Sequence, residues 1–225
     1  MKIFLSKYKH FIFISILILT GCATYYTQTI DFQNHIISGN FQQANNWLEN
    51  NKKEATGKNQ LLYYLNRGYV SWILQNYNES NFYFTKAEYL IEDYIKNYYL
   101  EALTLISNPN VKPYRPEDFE TIMVNYFMAL NYIKLEKYDD ALVECRRINI
   151  KLNQLNDKYK DHKNRYQRDA FAHTLMGIIY EIDHDYNNAF IAYRNALTIY
   201  ETDYKEYFNI PVPQQLKKDL LKTAY

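Results

Sequence analysis

Three times along this chain of 225 residues four residues recur at one fixed spacing: Ser80, Phe84, Ala87 and Ile91; Ala141, Cys145, Ile148 and Leu152; Ala189, Tyr193, Ala196 and Tyr200. That spacing returns each time to the same side of an α-helix, so each set predicts one packed helix face. Upstream of each set a second amphipathic stretch carries its own small residue. Gly68 lies among Leu61, Leu65 and Trp72; Ala129 among Tyr126, Tyr132 and Ile133; Gly177 among Phe171, Leu175, Ile178, Tyr180 and Ile182. The intervening turn places Tyr77, Tyr138 and Tyr186 shortly before Ser80, Ala141 and Ala189, and a fainter copy sets Gly39, Phe41, Ala44 and Leu48 in the same frame. The unit is helix, short turn, helix. A hairpin of two amphipathic helices cannot cover its own apolar stripes, so neighbouring hairpins must stack to do so. The pattern dictates an all-α solenoid.

Small residues where the helices cross, an aromatic in the turn, and alternating small and larger residues along the second helix resemble the tetratricopeptide repeat (TPR). The resemblance implies a right-handed superhelix with units at 25–58, 61–94, 122–155 and 170–203 within a repeat domain at 22–203. Its packing residues are expected to be Gly68, Ser80, Phe84, Ala87, Ala129, Tyr132, Ala141, Cys145, Gly177, Tyr180, Ala189, Tyr193 and Ala196. The units are too far apart for an uninterrupted array, so two insertions, 95–121 and 151–169, are expected. Residues 204–225 read as a connector and the start of a helix.

Residues 1–21 are set aside as a signal peptide. Lys2, Lys7 and Lys9 precede an apolar run, Phe11 to Leu19, that is far shorter than the roughly 20 residues a membrane-spanning helix needs. The following Leu19-Thr20-Gly21-Cys22 resembles the lipobox of bacterial lipoproteins, which implies that Cys22 is acylated and becomes the first mature residue. Ala23 suggests sorting to the outer membrane. With Cys22 acylated only Cys145 remains, so packing rather than a disulfide must stabilise the fold.

A net charge of +1 and a pI of 7.7 argue against a nucleic-acid binder. Twenty-five tyrosines and twelve phenylalanines against five glycines and five prolines favour helices over a many-turned β fold. The cluster Asp183-His184-Asp185 looks like chemistry, but it fills the turn position held elsewhere by Leu74-Gln75-Asn76 and Leu135-Glu136-Lys137, which share none of its ligand character. Adjacent turn residues also diverge, whereas metal ligands must converge. Lys53 to Asn59 ends like a phosphate-binding loop, but Lys52 stands where the first glycine belongs and Asn59 where Ser or Thr belongs. No catalytic motif, cofactor or metal site is expected, and the chain does not read as an enzyme.

The first insertion holds "SNPNVKPYRPEDFE"; helix is expected to stop near Ser107 and restart after Pro116, with Pro116 in the first turn. Tyr114 and Arg115 read as either a rigid connector or a partner contact. The second insertion, Lys151 to Asp169, carries six basic and three acidic residues and reads as a solvated extension, with a binding element as the alternative. Glu144, Arg146 and Arg147 are expected on the polar side of a helix, paired as salt bridges, with anion or partner contact as the alternative.

The stretches "ALNYIKLEKYDDALVECRRIN" and "PYRPEDFE" are similar to uncharacterised TPR lipoproteins of bacterial envelopes, and the resemblance extends over most of the mature chain. Members of that group continue beyond the region of 204–225, so this chain is expected to be either a shortened member or a fragment. The resemblance implies a protein bound to the membrane through acylated Cys22, facing the periplasm, with an unidentified envelope protein or peptide as partner. The function expected is a protein-interaction scaffold. The alternatives are a glycan-binding outer-membrane lipoprotein, which requires Tyr63, Tyr69, Tyr98, Tyr99 and Tyr114 to converge, and an accessory lipoprotein of outer-membrane or pilus assembly.

Overall fold

The computed structural model describes residues 27, 29–104, 113–158 and 168–224, without the side chains of 95–104. Among them there is helix and turn but no strand. Cys22, the signal segment and residues 159–167 lie outside the described residues. The chain divides into two compact units, 1–47 and 48–225.

The first unit holds α1 (Ile30–Ile37) and most of α2 (Phe41–Asn50). Phe32 and Trp47 pack with ring centroids 5.6 Å apart, and Phe32 and Ala44 are buried.

The second unit begins with the end of α2 and two 3-10 turns, Lys52–Ala55 and Gly57–Asn59. Then follow α3 (Gln60–Ile73), α4 (Tyr77–Thr104), α5 (Asp118–Lys134), α6 (Tyr138–Lys158), α7 (Ala170–Ile182) and α8 (Tyr186–Ile199). A π-helical turn, Tyr200–Tyr204, leads to the short α9 (Lys205–Phe208) and to α10 (Gln214–Thr223). Helices pack as adjacent pairs, α3 on α4, α5 on α6 and α7 on α8, and α4 meets α5, α6 meets α7, and α10 covers α8.

The hairpin turns are copies of one another. In each, the last helical turn closes with a Schellman pair of hydrogen bonds around one residue of positive φ: Gly39 (71°), Gln75 (62°), Glu136 (59°) and His184 (59°). The next residue's N–H reaches back to the first helix: Asn40 to the carbonyl of His35, Asn76 to Ser71, Lys137 to Tyr132 and Asp185 to Tyr180, each at 2.8 Å. The small residue of the second helix then donates to that same residue's carbonyl, Ala44 to Asn40, Ser80 to Asn76, Ala141 to Lys137 and Ala189 to Asp185. Three of the four turns hold a residue other than glycine in the left-handed region, where L side chains are disfavoured by roughly 1–2 kcal/mol.

Core packing follows the repeat frame. Leu61, Phe84, Ala87, Ile91, Val124 and Met128 form one buried cluster; Ala129, Ala141, Leu142, Cys145, Leu175 and Ile179 form the next; Ala189, Tyr193, Ala196 and Leu216 form the last. Tyr132 packs against both the first and the second, and Tyr180 against both the second and the last. Tyr200 is only half-buried, because the π-helical turn begins there.

The first insertion differs from expectation at its end. The helix stop expected near Ser107 lies outside the described residues; α5 starts at Asp118, and Pro116 lies before the helix rather than in its first turn. Glu117 is the N-cap, forming a capping box with Glu120, whose carboxylate accepts the Glu117 N–H at 2.8 Å. That box sets the N-cap one residue beyond the proline and the helix start two residues beyond it.

Candidate functional site

Helix α5 separates two features of the second unit. On one side, where α4, α5 and α6 meet, five polar side chains join in one network, of which Glu88, Asn125 and Glu144 are buried. Asn125, fully buried, donates both amide hydrogens to carboxylates, 2.8 Å to Glu88 and 2.7 Å to Glu144. Its carbonyl oxygen accepts from the Lys151 ammonium at 2.6 Å, and Lys151 also donates to Glu88 at 3.1 Å and to the Thr121 carbonyl at 3.2 Å. Arg147 bridges the two acids, 2.8 Å from Glu88 and 3.3 Å from Glu144.

The two carboxylates are not equivalent. Burial pushes the Glu88 pKa up, but the Asn125 hydrogen bond, Lys151 and Arg147 outweigh it and hold Glu88 below the usual range. At Glu144 burial wins over Asn125 and Arg147, and the neighbouring charge of Glu88 adds to it, so its carboxyl sits above that range. Two unlike charges bury only when hydrogen bonds complete the compensation, and Glu144 is the under-compensated member.

Above this network opens a cavity of about 280 Å³, walled by Thr85, Glu88, Tyr89 and Glu92 of α4, by Asp140, Val143, Glu144 and Arg147 of α6, and floored by Met128 and Tyr132 of α5. Burial first, then the charges of Glu144 and Asp140, hold back ionisation of the Tyr132 hydroxyl.

The other side of α5 is apolar. Equivalent places in three successive hairpins carry large apolar side chains: half-buried Leu62 with exposed Met123 and Phe171 at one, and half-buried Leu130 with exposed Tyr69 and Ile178 at another. The aromatic ones form a chain of contacts. Tyr69 and Trp72 meet the Phe127 ring at 5.7 and 5.0 Å, and Tyr126 meets Phe171 at 5.5 Å. A cleft of about 210 Å³ lies between them, lined by Met123, Tyr126, Phe127, Leu130, Phe171, Tyr204 and the Asp169 carboxylate. Asp169 is spoken for: it caps α7 by accepting from the N–H groups of Phe171 and Ala172, and it takes the Tyr204 hydroxyl at 3.3 Å.

The four residues read as partner contacts separate. Tyr114 is a tie within the fold, its N–H donating to the Lys58 carbonyl at 2.7 Å and its hydroxyl to Glu120 at 2.6 Å. Arg115 is exposed. Arg146 reaches the Tyr180 hydroxyl at 3.3 Å, away from the cavity that Arg147 lines. Glu144 keeps the expected pairing with Arg147, but it is 3% exposed rather than on a solvated side, because α4 and α5 close over α6 there. Lys151 likewise serves the buried network instead of a solvated extension.

The chain matches no family profile, no characterised protein and no solved structure with which it was compared.

His184 of the Asp183-His184-Asp185 cluster occupies the left-handed turn position, and Asp185 caps α8 through the Asn188 N–H at 3.1 Å. Among the described residues, no group of His, Cys, Asp and Glu is arranged to hold a metal ion, and no helix is long and apolar enough to cross a membrane. Of the tyrosines that a sugar-stacking patch requires, Tyr63 is buried with its hydroxyl on the Leu48 carbonyl, Tyr69 lies on the apolar face of α3, and Tyr114 is the tie just described. Tyr98 and Tyr99 have no described side chains. Cys145, fully buried, has its thiol pushed up to about 12 by burial and by Glu144, which leaves it unreactive. The network escaped the sequence reading; its one signal is Asn125, a short amide among apolar residues mid-helix.

Proposed function

We propose that the chain is a lipid-anchored, TPR-like scaffold of the bacterial cell envelope, which holds a segment of a partner protein along the apolar face of α3, α5 and α7. Acylation of Cys22 tethers it to the membrane, on the periplasmic side of the outer membrane. One observation carries the docking half of this reading: equivalent surface places in three consecutive hairpins are occupied by large apolar residues. Single exposed apolar residues are ordinary, but a row that joins successive hairpins and still leaves Tyr69, Met123, Phe171 and Ile178 facing water marks an interaction surface. Aromatic anchors suit that task, since they contribute area at low entropic cost. The identical turns and the size-matched crossings support the TPR-like description.

The test is a pull-down from solubilised envelopes with the chain from Cys22 onward, beside Met123→Asp/Phe171→Asp and the unfolded control Ala189→Arg. A protein retained by the parent and lost by the double variant is the expected result. Peptidoglycan or polysaccharide retained in its place would replace the scaffold with a glycan binder. Fatty-acid labelling that persists in Cys22→Ala would remove the anchor.

A further inference from the structure

Helix α1 is apolar on two opposite sides. Its inner side is buried Phe32, packed against the Trp47 ring of α2, with half-buried Ile36 one turn on. Ile30 and Ile37 share the other side, about half a turn round from Phe32. Ile30 is 41% exposed and Ile37 82%, the most of any large apolar residue among those described. Exposed Asn34 stands between them, and exposed Asp31 lies at the margin. The position of this side in the chain says what covers it. Seven residues, Ala23 to Thr29, separate it from Cys22, and the steps from Cys22 to Ile30 span at most about 28 Å. None of the seven carries a charge, and the chain holds no lysine or arginine from Cys22 to Asn51. With Cys22 fixed in lipid, α1 is held beside the headgroups at high effective concentration, and no basic residue draws it to anionic lipid.

From this arrangement we infer that α1 lies on the lipid surface that anchors the chain, with Ile30 and Ile37 set among the headgroups, Asn34 hydrogen-bonding to headgroup oxygens between them, and Asp31 hydrated at the edge. The inference rests on the anchor proposed above, because two isoleucines bury too little to hold the chain unaided; even a whole myristoyl chain binds only marginally. The tether brings the helix to the bilayer, and the isoleucines decide which side of it meets lipid. A soluble protein covering this side has to compete with a bilayer that is never further off than the tether allows. The contact is apolar, so it neither needs anionic lipid nor weakens with salt.

The experiment couples the full mature chain through Cys22 to a maleimide lipid in phosphatidylcholine nanodiscs that contain a nitroxide-labelled lipid; the other thiol, Cys145, is fully buried and does not compete. Isoleucine methyl resonances are read before and after the nitroxide is reduced. Ile30 and Ile37 are expected to broaden most, and Ile36, on the packed side of the same helix, less. In Ile30→Asp/Ile37→Asp, which leaves the contact of Phe32 with Trp47 in place, the docked fraction reported by Ile36 should fall about tenfold, on the scale of two lost apolar contacts. Asn34→Leu, which joins the two isoleucines into one strip, should deepen the broadening. Methyls that all stay sharp, broadening of Ile36 equal to that of Ile30 and Ile37, or broadening that requires anionic lipid would each overturn the inference. Because the coupling supplies the tether in the discs, the two readings fail separately: a chain acylated in cells whose isoleucines stay sharp loses only this surface, and broadened isoleucines without an acyl chain in cells lose only the anchor.

Discussion

Gly177 and the ring of Tyr193 compete for one space. A Cβ built on Gly177 would lie 2.3 Å from the tyrosine Cε1 and 2.4 Å from Cδ1, and the same relation holds between Gly68 and Phe84 at 2.7 Å. In the hairpin between them the residue pair at the same crossing is Ala129 and Cys145, both fully buried in one cluster. A small residue on the first helix thus accompanies a large ring on the second, and a medium pair replaces both where neither extreme is used. Close packing leaves no slack for either partner to change alone.

Gly177→Ala is therefore expected to destabilise the chain by about 1–2 kcal/mol despite alanine's better helix propensity, because overpacking outweighs it. Tyr193→Cys should lower stability too, by opening a void and by losing the hydroxyl's bond to Glu181. Combined, the two changes recreate the Ala129–Cys145 pair, and the double variant should be more stable than the sum of the singles predicts. Urea denaturation of all four proteins measures the coupling; strict additivity would show that the ring and the missing methyl do not share space.

Ala141→Arg and Ala189→Arg place a charge where the native side chain is wholly enclosed. Each should cost at least about 4 kcal/mol and abolish cooperative folding. Circular dichroism would show loss of the thermal transition, whereas an arginine at exposed Asn188, beside Ala189, should leave it intact.

The buried acids should respond to pH in opposite directions. Glu144 has a raised pKa, so its ionised form weakens the fold above that pKa, and stability recovers as pH falls through it. Glu88 has a lowered pKa; its contribution is complete at neutral pH and is lost only as pH falls below the usual carboxylate range through the folded value. At pH 7 Glu144→Gln is expected to be neutral or stabilising. Glu88→Gln should cost about 2 kcal/mol by leaving Lys151 without its carboxylate and Arg147 with Glu144 alone. Urea midpoints measured from neutral to acidic pH should lose their acid-side rise in the first variant and their acid-side fall in the second.

At the hairpin turns, His184→Gly and Glu136→Gly are expected to raise stability by up to about 1 kcal/mol, relieving the left-handed residue. His184→Val should lower it by about 1 kcal/mol, since β-branching is worst there. Melting temperatures of the single variants decide the matter, and an increase with valine would refute the turn geometry.

What could be read from the chain alone was what depends on position along one helix. The faces Ser80–Ile91 and Ala141–Leu152 and the turn around Asp183-His184-Asp185 all follow from local period and local breakers. Pro116 falls two residues short of the first helical position because the capping box of Glu117 and Glu120 sets the start. Glu144 was placed on the wrong side because its helix face looks polar in sequence, and only α4 and α5 crossing over it make that face interior. Tyr114 could serve as contact or connector until the Lys58 carbonyl and Glu120 came within reach of it.

Period and small-residue spacing are properties of a single helix and its neighbour in sequence, so the amino-acid order determined the all-helical hairpins and where they turn. Which polar groups are sealed in, which apolar ones are left facing water, and which glycine meets which ring depend on helices many residues apart. Only their packing decided that Asn125 joins Glu88 to Glu144, since a hydrogen bond across three helices has no signature in any one of them.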